Sequence, residues 1–245
     1  MNYRMVVQYD GGRYRGWQRQ SHSEDTIQGR IEHVLSKWMG HDVEIDGAGR
    51  TDAGVHALEQ VANVHLKEHF DVNEMKDYLN EYLPEDIRIL KVDVTGDRFH
   101  SRLHATGKIY EYHLLKKDHY QVFSRKYCWQ MPEQLDVEKM KQASEILLGK
   151  HDFRGFCTKA SKKKSTVRRL DKVDIIEKED EVILHFEGNG FLYNMVRILT
   201  GTLVEVGTGK RDKESVAEVL RLGDRKLAGE TAPAQGLFLV AVKYD

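Results

Sequence analysis

Asp46-Gly47-Ala48-Gly49-Arg50-Thr51-Asp52-Ala53-Gly54-Val55-His56-Ala57 separates two β-type runs and sets the reading of everything around it. Three glycines and three alanines surround one Arg-Thr-Asp triplet, a composition unlike that of a packing element. Glycine permits positive φ angles and close backbone approach, so Gly47, Gly49 and Gly54 mark a loop held in an unusual shape, with the Asp52 carboxylate at its centre. An ordinary turn with Asp as turn former has a similar local composition, so the choice between them rests on the rest of the chain.

Working outward, residues 43–46 read as a short strand entering the loop. Residues 61–66 leave it as a strand that alternates Ala62, Val64 and Leu66 against Val61, Asn63 and His65. Upstream, residues 5–9 read as a strand. A helix then starts at Asp25 or Thr26, carries Ile27, Ile31, Val34, Leu35 and Trp38 at helical spacing, and stops at Gly40. Downstream, Asn73 is placed to cap a helix that ends before Pro84, and residues 87–94 form a strand. The order is βαββαβ.

The second half repeats it. Residues 105–115 form a strand with Tyr110, Tyr112 and Leu114 on one side. Asp136 caps a helix striped by Val137, Met140, Ala143, Ile146 and Leu147. Residues 167–176 and 182–186 are paired strands joined by an acidic turn, 191–206 an apolar helix, 212–222 a shorter helix and 237–242 a closing strand. The expected fold is α+β: two ferredoxin-like halves, 1–104 and 105–245, sharing a continuous antiparallel sheet with helices on one face and a cleft between the halves.

With 245 residues the chain can bury a sizeable core, and with two separated cysteines it offers no CxxC pair for a disulfide framework or zinc knuckle. It has no signal-peptide pattern and no apolar run near the roughly 20 residues of a membrane span, so a soluble cytoplasmic protein without a membrane partner is expected. The 38 Lys and Arg balance 39 Asp and Glu, yet the charges are segregated. Arg4, Arg13, Arg15 and Arg19 crowd the N-terminal end, and Lys159, Lys162, Lys163, Lys164, Arg168 and Arg169 form a second basic run.

Residues 10–20 interleave Arg13, Arg15 and Arg19 with Tyr14 and Trp17. Arginines neutralise phosphates while aromatic rings stack on unpaired bases, although these rings could equally be tucked into a core. The run 159–169 offers phosphate contacts or is simply a solvated charged loop. His65-Leu66-Lys67-Glu68-His69 matches an inverted zinc-protease pattern, which requires a helix; the residues leading into it alternate as a strand, so no metal is expected. Tyr110 is a candidate stacking or core ring. Arg197, in an otherwise apolar helix, needs a carboxylate partner, for which Asp52 is the candidate.

The residues 49–57, together with Tyr9-Asp10-Gly11, Gly16-Trp17-Gln18, Phe99-His100-Ser101-Arg102, Lys108-Ile109-Tyr110-Glu111-Tyr112, His151-Asp152-Phe153, the run from Gly190 to Arg197, and Ala232-Pro233-Ala234-Gln235-Gly236-Leu237, resemble the TruA family of tRNA pseudouridine synthases. The blocks stand in family order across nearly the whole chain. The resemblance implies a homodimeric enzyme that isomerises uridine in the tRNA anticodon stem-loop, at tRNA positions 38–40, without a cofactor. It makes Asp52 the catalytic aspartate, nucleophile or base, Tyr110 the base-stacking tyrosine and Arg197 the arginine paired with the aspartate. It further implies substrate contacts from Arg50, Thr51, His56, Lys108, Leu192, Arg13, Arg15, Trp17, Lys162, Lys163, Lys164 and Arg168. Lys108 stands where many members carry arginine, keeping the charge without the bidentate fork. Two alternatives follow: a related enzyme with a different or narrower RNA target, or a non-catalytic RNA-binding protein on the same fold.

Overall fold

A computed structural model describes residues 1–21, 23, 25–158 and 165–244, which fall into two compact units. Unit 1 comprises Met1–Thr106 and Phe238–Asp245; unit 2 comprises Gly107–Leu237. The architecture is mixed α+β. Among the described residues no helix is long and apolar enough to cross a membrane.

Unit 1 contains β1 (Asn2–Tyr9), α1 (Ile27–Met39), β2 (Asp46–Gly47), β3 (His56–His65), α2 (Val72–Tyr82) and β4 (Ile87–Thr95), in the order expected from the sequence. β1 lies between β3 and β4 and is antiparallel to both, with Met5 opposite Ala62 and Val92. The last strand, Leu237–Lys243, lies parallel to β3 through Phe238 opposite His56 and Leu239 opposite Ala57. Tyr3, Met5 and Val7 of β1 are fully buried with Ile27, Ile31 and Leu35 of α1 and Met75 and Leu79 of α2. Apolar residues at helical spacing on α1 therefore build the core face that the periodicity implied. The helix starts where Thr26 Oγ1 accepts from Gly29 N at 3.2 Å and ends at Gly40, φ 70°.

Three local expectations shift. Residues 43–45 belong to no strand, and the strand is Asp46–Gly47, opposite Asn63 and Ala62. The cap of α2 is Asp71, not Asn73: Asp71 Oδ1 accepts from Asn73 N and Glu74 N at 2.9 and 3.1 Å, satisfying two of the helix's orphan donors at once. On the more polar side of β3, Val61 and Asn63 are buried while His65 is exposed. Asn63 donates to Asn2 Oδ1 and accepts from Ser101 N, so the polar side chain in the middle of the strand is buried with its partners supplied.

Unit 2 contains β5 (Gly107–Leu115), β6 (Trp129–Gln130), α3 (Val137–Glu145), β7 (Gly149–Asp152), β8 (Val167–Glu177), β9 (Glu181–Gly188), α4 (Met195–Gly207) and α5 (Glu214–Leu222); the Leu237–Lys243 strand is β10. The order within the unit is β5-β9-β8-β7, antiparallel throughout, with the two-residue β6 parallel to β5. Tyr112, Leu114, Leu184, Phe186, Ile198, Leu199 and Leu203 fill its core. β6 and β7, two and four residues long, carry too little periodicity to be read from sequence. The apolar helix starts at Met195 rather than at 191. Asn194 adopts φ 59°, a left-handed conformation that Asn tolerates better than most residues, and breaks the helical path there. Its side chain is held by Thr158 Oγ1 at 3.0 Å and Arg197 Nη1 at 3.1 Å, interactions that offset the cost of that backbone.

Candidate active site

Asp52 lies half-buried on the loop between β2 and β3, and the chain between Tyr9 and Trp17 folds against that loop's backbone. Trp17 N donates to Thr51 O at 3.1 Å, Gly54 N donates to Tyr14 O at 3.3 Å, and within the loop Val55 N donates to Asp52 O at 3.2 Å. Gly16 has φ 95°, and a methyl group there would lie 2.6 Å from Thr51 O and 3.1 Å from Asp52 C. Only glycine combines that dihedral with so close an approach. Gly54, φ 78°, closes the turn after Asp52. The N-terminal arm is thus the support on which the Asp52 backbone rests.

Three of the candidate contact residues lie within this framework. Trp17 does not present its ring for base stacking: it is 2% exposed, packs against Gly47 and contacts the Tyr9 ring at 5.9 Å. Its apolar area is worth more in the core than on a polar surface. His56 is 1% exposed, its Nδ1 accepts from Gly11 N at 3.1 Å, and its ring stacks on Phe238, so it braces the start of β3. Thr51 points inward, its Oγ1 2.8 Å from the Tyr9 hydroxyl.

Of the basic candidates in unit 1, Arg50, Arg13 and Arg15 are exposed. Arg13 is engaged by Asp86, Nε to Oδ2 at 2.5 Å, and lies over the Tyr14 ring, whose hydroxyl donates to the same carboxylate at 2.6 Å. Burial foremost, with the Asp86 hydrogen bond, raises the Tyr14 phenol above its ordinary value and keeps it a donor. Tyr14, like Trp17, is a framework ring.

In unit 2, Tyr110 is 7% exposed on β5, with the Phe191 ring edge-on at 5.1 Å. Arg197 is half-buried on the first turn of α4. Its Nε donates to Ala232 O at 2.7 Å and its Nη1 to Asn194 Oδ1 at 3.1 Å, while Ala232 N donates to Arg197 O at 3.1 Å. Tyr112 donates its hydroxyl to Pro233 O at 2.7 Å, tying β5 to the same 232–233 backbone. One loop therefore orients both the guanidinium and the strand that carries Tyr110. Lys108 and Leu192 are half-buried on β5 and on the segment before α4. Arg168, half-buried on β8, donates to Ser165 O at 3.0 Å and Val167 O at 2.7 Å, and burial lowers its guanidinium from its ordinary value. Lys162, Lys163 and Lys164 lie outside the described residues.

Sequence reading missed Gln60 and Asn194, and saw Tyr9 only as part of a resembling block. Gln60, fully buried in β3, donates to Gly49 O at 3.1 Å. A glutamine inside an apolar strand was the available signal, since a buried amide needs partners.

A family model described as tRNA pseudouridine synthase matches residues 5–102 and 143–245. "tRNA pseudouridine synthase A" of Bacillus sp. (strain KSM-64) is 47% identical over 243 residues, covering 99% of each chain. "tRNA pseudouridine synthase A 2" of Bacillus anthracis is 43% identical over 243 residues, again 99% of each chain. "tRNA pseudouridine synthase A" of Thermoanaerobacter sp. (strain X514) is 41% identical over the same length and coverage.

Proposed function

The chain belongs to the tRNA pseudouridine synthase family, and from that premise we propose that it isomerises uridine to pseudouridine in the anticodon stem-loop of tRNA with Asp52 as the reacting carboxylate. In that reaction the N1–C1′ bond breaks, the uracil turns and C5 bonds to C1′. The C5 hydrogen leaves as a proton and N1 ends protonated, so no electrons are gained or lost.

Asp52 acts as the nucleophile or base that opens the sequence, which it does in its ionised form. For Arg197 we take the role that the resemblance gives it, favouring that ionised form. Tyr110 stacks on the flipped base, recovering part of the few kcal/mol spent on unstacking it. Arg50, Lys108, Leu192, Arg15 and Arg168, with Lys162, Lys163 and Lys164, contact the RNA, whose phosphates a protein of net charge −1 must meet with local basic groups. The enzyme works as a homodimer in the cytoplasm, where its substrate is.

What chiefly supports this reading is the setting of Asp52, a half-buried carboxylate on a loop whose backbone is fixed by hydrogen bonds involving Tyr14 and Trp17. A reacting group held in place before substrate arrives avoids the entropy of ordering it during the reaction. The test is tritium release from tRNA transcripts carrying C5-tritiated uridine. The native protein releases tritium and Asp52→Asn does not, while both retain tRNA binding. Binding without release by the native protein would instead establish the non-catalytic RNA-binding alternative. Transcripts mutated one at a time at tRNA positions 38–40 locate the target.

A further inference from the structure

We infer that Tyr9 and Gln60 are positioning residues for the reaction, holding the Gly49–Asp52 backbone through the Thr51 hydroxyl and the Gly49 carbonyl; this rests on Asp52 being the reacting carboxylate. Tyr9, at the end of β1, is 3% exposed, and its hydroxyl lies 2.8 Å from Thr51 Oγ1. Gln60 donates Nε2 to Gly49 O at 3.1 Å and accepts from Val61 N at 3.2 Å. The two anchors thus hold the loop at Gly49 and Thr51, on either side of Arg50 and immediately before Asp52. Burial raises the Tyr9 phenol far above the working pH range, so it stays protonated and remains a donor.

The pair is rigidly mounted. Both residues sit on adjacent strands of one antiparallel ladder, where Val7 faces Gln60 and Tyr9 faces Ala57. Side chains on strands hold a site more precisely than side chains on loops. Phenylalanine and methionine would fill the same space without the desolvation cost of a phenol and an amide. What the polar groups add is a fixed distance from the sheet to the loop.

The discriminating variants are Tyr9→Phe, Gln60→Met, Thr51→Val and Thr51→Ser, with Tyr3→Phe as the matched control. Tyr3 is a fully buried β1 tyrosine whose hydroxyl contacts Phe70 N at 2.8 Å and Phe70 O at 3.3 Å, away from the loop. Below the melting temperature of each variant, Tyr9→Phe and Gln60→Met lower kcat for tritium release about 10- to 100-fold, as expected for a reacting group displaced by a fraction of an ångström. KM stays within about twofold, since substrate binding is untouched. Tyr9→Phe combined with Thr51→Val is no slower than the slower single variant, because both remove one shared bond. Thr51→Ser, which keeps the hydroxyl, retains kcat, and Tyr3→Phe loses stability without losing kcat. If Tyr9→Phe or Gln60→Met does not fold, Thr51→Val against Thr51→Ser decides alone. Full kcat in Tyr9→Phe, Gln60→Met and Thr51→Val beside an inactive Asp52→Asn would overturn this inference and leave the catalytic assignment standing. An active Asp52→Asn would overturn both.

Discussion

Gly16→Ala puts the supporting role of the N-terminal arm to a quantitative test, with Gly40→Ala as its counterpart. Both glycines have positive φ, 95° and 70°, but a methyl group at Gly40 meets nothing within 4 Å whereas one at Gly16 falls 2.6 Å from Thr51 O. Alanine in a left-handed conformation costs roughly 1–2 kcal/mol, the whole effect expected at Gly40. At Gly16 the strain alone reaches about 2 kcal/mol, since φ 95° lies outside the usual left-handed well. For a chain of this size 1 kcal/mol corresponds to roughly 2–4 °C in Tm, so Gly16→Ala melts about 4–8 °C lower. The methyl group is also about 0.8 Å short of the 3.4 Å at which ordinary contact begins, and the atoms it meets are backbone. The Thr51–Ala53 chain must therefore move by a comparable distance. With Asp52 in the middle of it, kcat falls on the order of tenfold or more. Calorimetry and single-turnover tritium release on both variants measure the two effects separately. Equal kcat in Gly16→Ala and Gly40→Ala, whatever their melting temperatures, would refute the claim that the arm positions the Asp52 loop for the proposed reaction.

Other consequences follow from individual interactions. Thr26→Ala removes the acceptor for Gly29 N at the start of α1 and lowers stability by about 1 kcal/mol, read as a drop in Tm with kcat unchanged. Asp93 is desolvated, which by itself raises its pKa, but hydrogen bonds from Lys91 and Arg4 outweigh this and hold it below the ordinary carboxylate value. Its contribution is therefore present above the unfolded-state pKa and lost as pH falls through the folded one: native protein exceeds Asp93→Asn in denaturant midpoint at neutral pH, and the gap closes in acid. Asn194→Gly keeps a left-handed backbone available while removing the amide that bonds Arg197 and Thr158; tritium release slows with little change in Tm, and unaltered kcat would detach Asn194 from the site. Replacing Lys162, Lys163 and Lys164 together by Ala flattens the salt dependence of tRNA affinity by about 0.7–0.9 in log–log slope for each phosphate no longer neutralised, and an unchanged slope would mean that none of them meets phosphate.

Signals that act over a few residues were legible in the chain itself. Thr26, one of the two cap candidates, and Gly40 bracket α1, because a cap bonds within its own first turn and a C-terminal glycine answers to its own φ. The alternation of β8 and β9 and the acidic turn between them likewise carry their pairing within about twenty residues, and the succession of elements from β1 to β4 was legible although their pairing across about 50 to 90 residues was not. The motif around Asp52 disclosed the family, since its glycines and its carboxylate stand together in sequence.

What only the folded chain decided were the partners of polar and aromatic residues across long separations. Trp17 stood open between a stacking ring and a core ring in the sequence, and it is buried with Gly47 leaving room for its indole. The Tyr9 hydroxyl reaches Thr51 across 42 residues, Asn2 reaches Phe99 across 97, and β10 lies beside β3 from the far end of the chain. Hydropathy and periodicity fix which face of an element is apolar, but whether a buried polar group is a cost or a fixture depends on a partner brought to within about 3 Å by the fold. The sequence alone therefore determined the Asp52 loop as a candidate site and the family; the tertiary structure determined which surrounding side chains meet solvent and which hold that loop in place.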